Sequence, residues 1–218
     1  MIFDLFSKKK ADEDQPSLPA PLNLRLGSAV ELDLLPFQMI QQQLNLTLPA
    51  GVQTIEAVGI IDLGGGSSLY RFYTADDGFF QISTTGGFET QHINDIKLFV
   101  FEQTENLASQ SGVNLWVGDS GKIGQPGFTL NTTQYERAWD SEVTGKIEPV
   151  RFTETVHSRD KSTATYDVDH LAMLYQRRLS GSEHYEYLIS SLEFTSDDEA
   201  TAVMSVGIDL EISSMSIM

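Results

Sequence analysis

Between residues 53 and 102 the hydrophobic period of this chain is two, and that alternation constrains the fold more than any motif does. Residues 53–63 (QTIEAVGIIDL) put Ile55, Ala57, Gly59 and Ile61 on one face and Val58 and Ile60 on the other. That is the pattern of a strand, whose successive side chains point to opposite sides. Three more such runs follow at 68–74, 79–84 and 95–102. The first link is Gly64-Gly65-Gly66 and the second is Ala75-Asp76-Asp77-Gly78. Asp-Gly between β-rich runs signals a hairpin, because both residues tolerate the positive φ that its tight turn needs. These four runs predict an antiparallel meander. Strand-like runs resume at 128–137, 147–157, 163–179, 184–193 and 201–211, which predicts a second sheet region.

Helical signals are few. Residues 29–43 carry apolar positions at helical spacing, and they predict a short helix over about 36–44. Pro36 must then lie in its first turn, since an interior proline costs about 3 kcal/mol. Residues 103–127 are rich in Gly, Ser and Asn and read as an interruption, with a helical stretch near 105–117. The expected class is therefore α+β, predominantly antiparallel β. It comprises two β-rich sheet regions, around 53–102 and 128–211, with one or two short helices. Residues 1–21 read as a flexible leader and 22–218 as a single β-rich domain, with sub-units of about 22–102 and 128–211. A faint echo at an offset of 105 residues lays Leu69-Tyr70-Arg71 on Leu174-Tyr175-Gln176, and Leu98 on Val203.

Composition narrows the function classes. The chain has no cysteine, which excludes disulfides, thiol catalysis and Cys-ligated zinc. Fourteen basic residues face 31 acidic ones, a net charge of −17, with no basic stripe interleaved with aromatics. Such a surface repels phosphate backbones, so no nucleic-acid partner is expected. No window is long and apolar enough for a transmembrane helix, and the N-terminus places its apolar residues before its lysines, the reverse of a secretory signal. A cytoplasmic location follows. Ile2, Phe3 and Phe6 followed by Lys8, Lys9 and Lys10 are candidates for membrane contact, at most weak and peripheral to the inner membrane.

No motif amounts to a catalytic signature. Gly64-Gly65-Gly66-Ser67-Ser68 lacks the lysine and the following helix of a phosphate loop, and reads as a turn. Gly118-Asp119-Ser120-Gly121 matches the surroundings of a trypsin-like serine. However, the only upstream histidine, His92, precedes Ser120 by 28 residues, too few for that fold. Asp167 and Asp169 share one strand face and are the metal candidates, provided further oxygen ligands come from elsewhere. Glu183, Glu186 and residues 197–199 are acidic positions at a turn and a loop. Tyr70, Phe72, Tyr175 and Tyr187 are candidates for a binding face, against the commoner role of cross-strand packing.

Several stretches carry a resemblance: Ile61-Asp62-Leu63-Gly64-Gly65-Gly66-Ser67, Tyr70-Arg71-Phe72-Tyr73-Thr74, residues 81–87 (QISTTGG), residues 95–100 (DIKLFV), Ile147-Glu148-Pro149-Val150, Tyr175-Gln176-Arg177 and Glu186-Tyr187-Leu188. Together they resemble the YjfK-like family of uncharacterised bacterial proteins, over about Pro21 to Leu210. The resemblance implies no reaction and no catalytic residues. It does imply a gene neighbourhood beside a phage-shock-type membrane-stress protein. The reading that follows is a non-enzymatic accessory protein with protein partners and no cofactor. A small-ligand binding module and a metal-dependent hydrolase using Asp167 and Asp169 are the alternatives.

Overall fold

The computed structural model describes residues 18–159, 165–195 and 200–218. In chain order the regular elements are β1 (Ala29–Leu32), α1 (Leu35–Gln38), β2 (Gln53–Gly64), β3 (Ser67–Thr74), β4 (Gly78–Thr85), β5 (Ile93–Leu107), α2 (Gln110–Val117), β6 (Gly127–Leu130), β7 (Thr133–Arg137), β8 (Val150–Ser158), β9 (Tyr166–Arg178), β10 (Tyr185–Phe194), β11 (Ala200–Asp209) and β12 (Met215–Ile217).

The first meander is formed by β2 to β5, with the hairpins placed where the glycines predict them. Gly64, Gly65 and Gly66 all take positive φ at the first turn, and Asp77 takes φ of 53° at the second. A second meander is formed by β8 to β11. The expectation of two separate sheet regions fails at this point. Strand β5 pairs with β11 along its length, and β2 pairs with β8 over Ala57–Ile60 against Thr155–Ser158. The ring β2-β3-β4-β5-β11-β10-β9-β8 therefore closes into one eight-stranded antiparallel barrel. Two meanders left apart would each expose two unpaired edges, and joining them removes all four.

Smaller corrections have local causes. The helix expected over 36–44 splits into α1, with Pro36 in its first turn, and a 3₁₀ turn at Gln41–Gln43. Strand β5 continues to Leu107 because it has β11 to pair with, so the helix begins only at Gln110, where Ser109 caps it through its hydroxyl to the Gly112 N–H. The run 128–137 is a hairpin folded at Asn131, which adopts φ of 54°. The echo at offset 105 does not superpose faces, since it lays the outward Leu98 on the inward Val203.

The largest apolar core lies outside the barrel wall. Outward residues Phe72, Phe80, Leu98, Met173, Tyr175, Leu188 and Val206 pack in one cluster with Leu24, Phe37, Leu46, Trp116, Phe128 and Tyr135. The covering layer is thus the segment before β2, helix α2 and the β6–β7 hairpin. Around β8 and the start of β9 the outer face is bare and polar, carrying Arg151, Thr153, Asp167 and Asp169. Among the described residues no helix is long and apolar enough to cross a membrane.

Candidate functional site

With large apolar residues drawn to the outer face, the inward positions of several strands are polar. Strand alternation turns Leu69, Arg71 and Tyr73 of β3 inward, as it does Phe152, Glu154 and Val156 of β8 and Val168, His170 and Ala172 of β9. One end of the lumen is plugged by Ile61, Leu69, Phe152 and Ala172. At the same end Lys97 is paired with Asp95 and Asp209 and lies 4.7 Å from the Tyr187 ring centroid. Towards the other end is a cavity of about 290 Å³. It is lined from all eight strands, by Ala57, Arg71, Phe79, Phe101, Glu154, His170, Ile189 and Val203 among others. A larger hollow of about 470 Å³ lies on the surface between residues 18–20 and 23–26, Val58 and Phe88, and among the described residues Arg25 is the only charged group lining it.

A chain of contacts crosses the lumen. Arg71 donates from Nη1 to Glu154 Oε2 at 2.8 Å and from Nε to Gln81 Oε1 at 3.1 Å, and its guanidinium carbon lies 5.1 Å from the Phe79 ring centroid and 5.6 Å from that of Phe152. Tyr73 donates its hydroxyl to Glu154 Oε1 at 2.7 Å. His170 stacks on Phe152 and places Nδ1 3.0 Å from Ser191 Oγ. Its Nε2 is 3.2 Å from Glu154 Oε2, close enough for an ion pair yet off the direction of a hydrogen bond, so this buried atom has no hydrogen-bond partner. Glu193 Oε1 lies 3.6 Å from His170 Nδ1. Gly59 makes the arrangement fit, because a methyl group built there would overlap the Glu154 carboxylate.

Burial sets the electrostatics. Desolvation alone would raise the Glu154 carboxyl, but Arg71, His170 and Tyr73 outweigh it and hold the group below the usual carboxylate range. Desolvation would likewise weaken the charge on Arg71, and Glu154 reverses that, so the guanidinium is held more firmly charged. Burial raises the Tyr73 phenol well above its ordinary value, and Glu154 adds to the rise. Glu193 is shifted upward by burial, only partly countered by His170 and Arg71.

Ser191, His170 and Glu154 have the contacts of an acyl-transfer triad. Such chemistry also needs donors aimed at the developing oxyanion. Ser191 sits mid-strand, opposite Ala172 on one side and Val203 on the other. The neighbouring backbone N–H groups are therefore committed to the ladder, and Arg71 is spent on Glu154 and Gln81. Among the described residues the Ser191 hydroxyl therefore has no free donor beside it to hold an oxyanion.

The residues singled out from sequence are dispersed. Asp167 and Asp169 accept hydrogen bonds from Thr155 and Thr153 on the solvated outer face, at 2.7 and 2.5 Å. Among the described residues no three His, Asp or Glu side chains gather as a metal site. Tyr70, Phe72 and Tyr175 are outward and buried in the main core, and Tyr175 accepts the Gly124 N–H, with burial pushing its phenol up to about 12. Only Tyr187 faces the lumen, at the plugged end. Ile2, Phe3, Phe6, Lys8, Lys9 and Lys10, and the acidic run 197–199, lie outside the described residues. The lumen polar set was missed, although its signal is present: Arg71, Glu154 and His170 each stand two residues from apolar side chains on an apolar face.

Compared with known proteins, residues 2–216 match a family described as a protein of unknown function, DUF2491. The chain belongs to the DUF2491 family. A member-like relative, the uncharacterized protein YjfK of Escherichia coli (strain K12), is 34% identical over 220 residues, covering 98% of each chain. No solved structure matches. The family description of DUF2491 assigns no activity, so the lumen must be interpreted on its own chemistry.

Proposed function

We propose that this DUF2491 protein is a small-ligand binding module whose ligand occupies the barrel lumen. The observation that carries the reading is a cavity walled by eight strands, on which converge the buried His170, whose Nε2 has no hydrogen-bond partner, and the partly exposed Glu193 carboxylate. Eight-stranded barrels enclose either packed side chains or one small ligand, and pockets that bind ligands combine apolar walls with a few converging polar groups. Here the apolar walls are Phe79, Phe101, Val156, Val168 and Val203. Because burying Arg71 and Glu154 in place of apolar side chains brings little net stability, their retention in the lumen favours a binding role.

The test is a metabolite screen by ligand-observed NMR on the full chain, with Val203→Phe as a variant that fills the cavity. Binding by the wild-type protein that Val203→Phe abolishes, with the melting temperature kept, supports the reading. Ligands that bind both proteins equally would place binding elsewhere. The expectation of a protein partner near the membrane is independent, since it draws on residues 1–10.

A further inference from the structure

We infer that the lumen selects a small organic ammonium ion; this rests on the lumen-binding reading above. The cations already inside the barrel establish the pattern. Arg71 lies 5.1 Å from the Phe79 ring centroid and 5.6 Å from that of Phe152, and Lys97 lies over Tyr187, each with a carboxylate beside it. Glu154 is engaged by Arg71 and Tyr73, while Asp95 and Asp209 are engaged by Lys97.

Glu193 differs from these three carboxylates. It lines the cavity, and among the described residues no permanent cation pairs with it directly: His170 lies at 3.6 Å, the Ser191 hydroxyl is a neighbour, and Arg71, already paired with Glu154, acts on it only through space. Among the described residues the formal charges lining the cavity are one cation, Arg71, against two carboxylates, Glu154 and Glu193. The same cavity is faced by Tyr73, Phe79 and Phe101, whose rings pack on one another with centroids 5.4 to 6.4 Å apart. Aromatic faces attract an ammonium group within about 6 Å, and the attraction grows when water is excluded. Glu193 supplies the counter-charge and the rings supply the cage.

Other ligand charges fit less well. An anion would face two carboxylates, with Arg71 already bound to Glu154 and Gln81 and near the Phe79 and Phe152 rings. A neutral ligand would leave the Glu193 carboxylate without a counter-charge. That carboxyl is raised by burial, which His170 and Arg71 only partly counter. The net charge of −17 further concentrates cations around the molecule.

The experiment uses the full chain with labelled methyl groups and three probes of one shape: choline, the neutral alcohol in which carbon replaces its nitrogen, and the corresponding carboxylate. A series of alkylammonium ions of graded size accompanies them. The ammonium probes are expected to shift the methyl signals of Val156, Val168, Ile189 and Val203 and to bind about tenfold tighter than the neutral alcohol. Glu193→Gln is expected to remove that advantage and leave the alcohol's affinity unchanged. If the alcohol or the carboxylate binds the lumen as tightly as choline, the ammonium inference falls and the lumen reading survives. If no ammonium ion moves those methyl groups, the inference also falls, and the lumen reading then depends on the Val203→Phe screen alone.

Discussion

Glu154 inside the barrel and Glu186 outside it are both 0% exposed, and each meets an arginine and a tyrosine hydroxyl. Their remaining partners differ. Glu186 accepts the backbone N–H groups of Asn45 and Leu46 at 2.7 and 3.1 Å, the Tyr135 hydroxyl at 2.7 Å and Arg177 Nε at 2.7 Å. It ties two separate pieces of the covering layer, and the neighbouring strand β9, to strand β10, and two of its donors are main-chain groups. Glu154 has only side-chain partners, and it adjoins a cavity. A buried carboxylate that fastens backbone belongs to the architecture, whereas one held only by side chains can be replaced together with them. The comparison therefore separates an acid that fastens the covering layer from one held only by other lumen side chains.

The largest expected effect tests that separation directly. Glu186→Ala is expected to cost about 3–5 kcal/mol, because it strands Arg177 and two buried N–H groups. Chemical denaturation reads the loss. Converting Arg177 to Met as well should restore little, since the Asn45 and Leu46 N–H groups remain unpaired. In the lumen, Glu154→Leu alone is expected to cost about 3 kcal/mol or more, and Glu154→Leu with Arg71→Met to recover most of it. Equal behaviour of the two double variants would break the comparison.

A smaller effect concerns packing. Gly59→Ala is expected to cost about 1–3 kcal/mol through overpacking against the Glu154 carboxylate. In a Glu154→Ala background the same change should cost much less, and a double-mutant cycle measures the difference.

The smallest effects are pH-dependent and opposite in sign. Glu154 is depressed in the folded state, so its contribution is present above the unfolded carboxyl value and is lost as pH falls through the lower folded value. Glu193 is raised, so it opposes folding increasingly as pH climbs from the ordinary carboxylate range through its folded value. Glu193→Gln is expected to increase stability at neutral pH and to leave it unchanged in acid, as followed by denaturation midpoints across pH.

The sequence made the strands legible and hid their closure. Clean alternation, as in β8 with Phe152, Glu154 and Val156 inward, could be read from the period alone. Strands β4 and β11 are buried on both faces, so Phe79-Phe80-Gln81-Ile82 and Val203-Met204-Ser205-Val206 carry no contrast between lumen and exterior. Without that contrast Tyr70, Phe72 and Tyr175 looked like a binding face, when they are the filling between barrel and covering layer. The pairing of β2 with β8 joins segments about a hundred residues apart, and no local signal announces such a contact. Glu186, taken from sequence as a turn acid, is fully buried because the segment before β2 wraps over it.

That seam has a further consequence. Strands β2 and β8 pair only from Ala57 to Ile60, the shortest junction in the ring, and it can zip only after both meanders exist. Closing so long a loop is entropically late in folding, and a short zipper is the first to part. Among Ala57 to Ile60 and Thr155 to Ser158, the amide hydrogens that bond across this seam should therefore exchange earliest among the barrel strands. Their exchange rate would set the pace at which the cup turns itself into an open sheet.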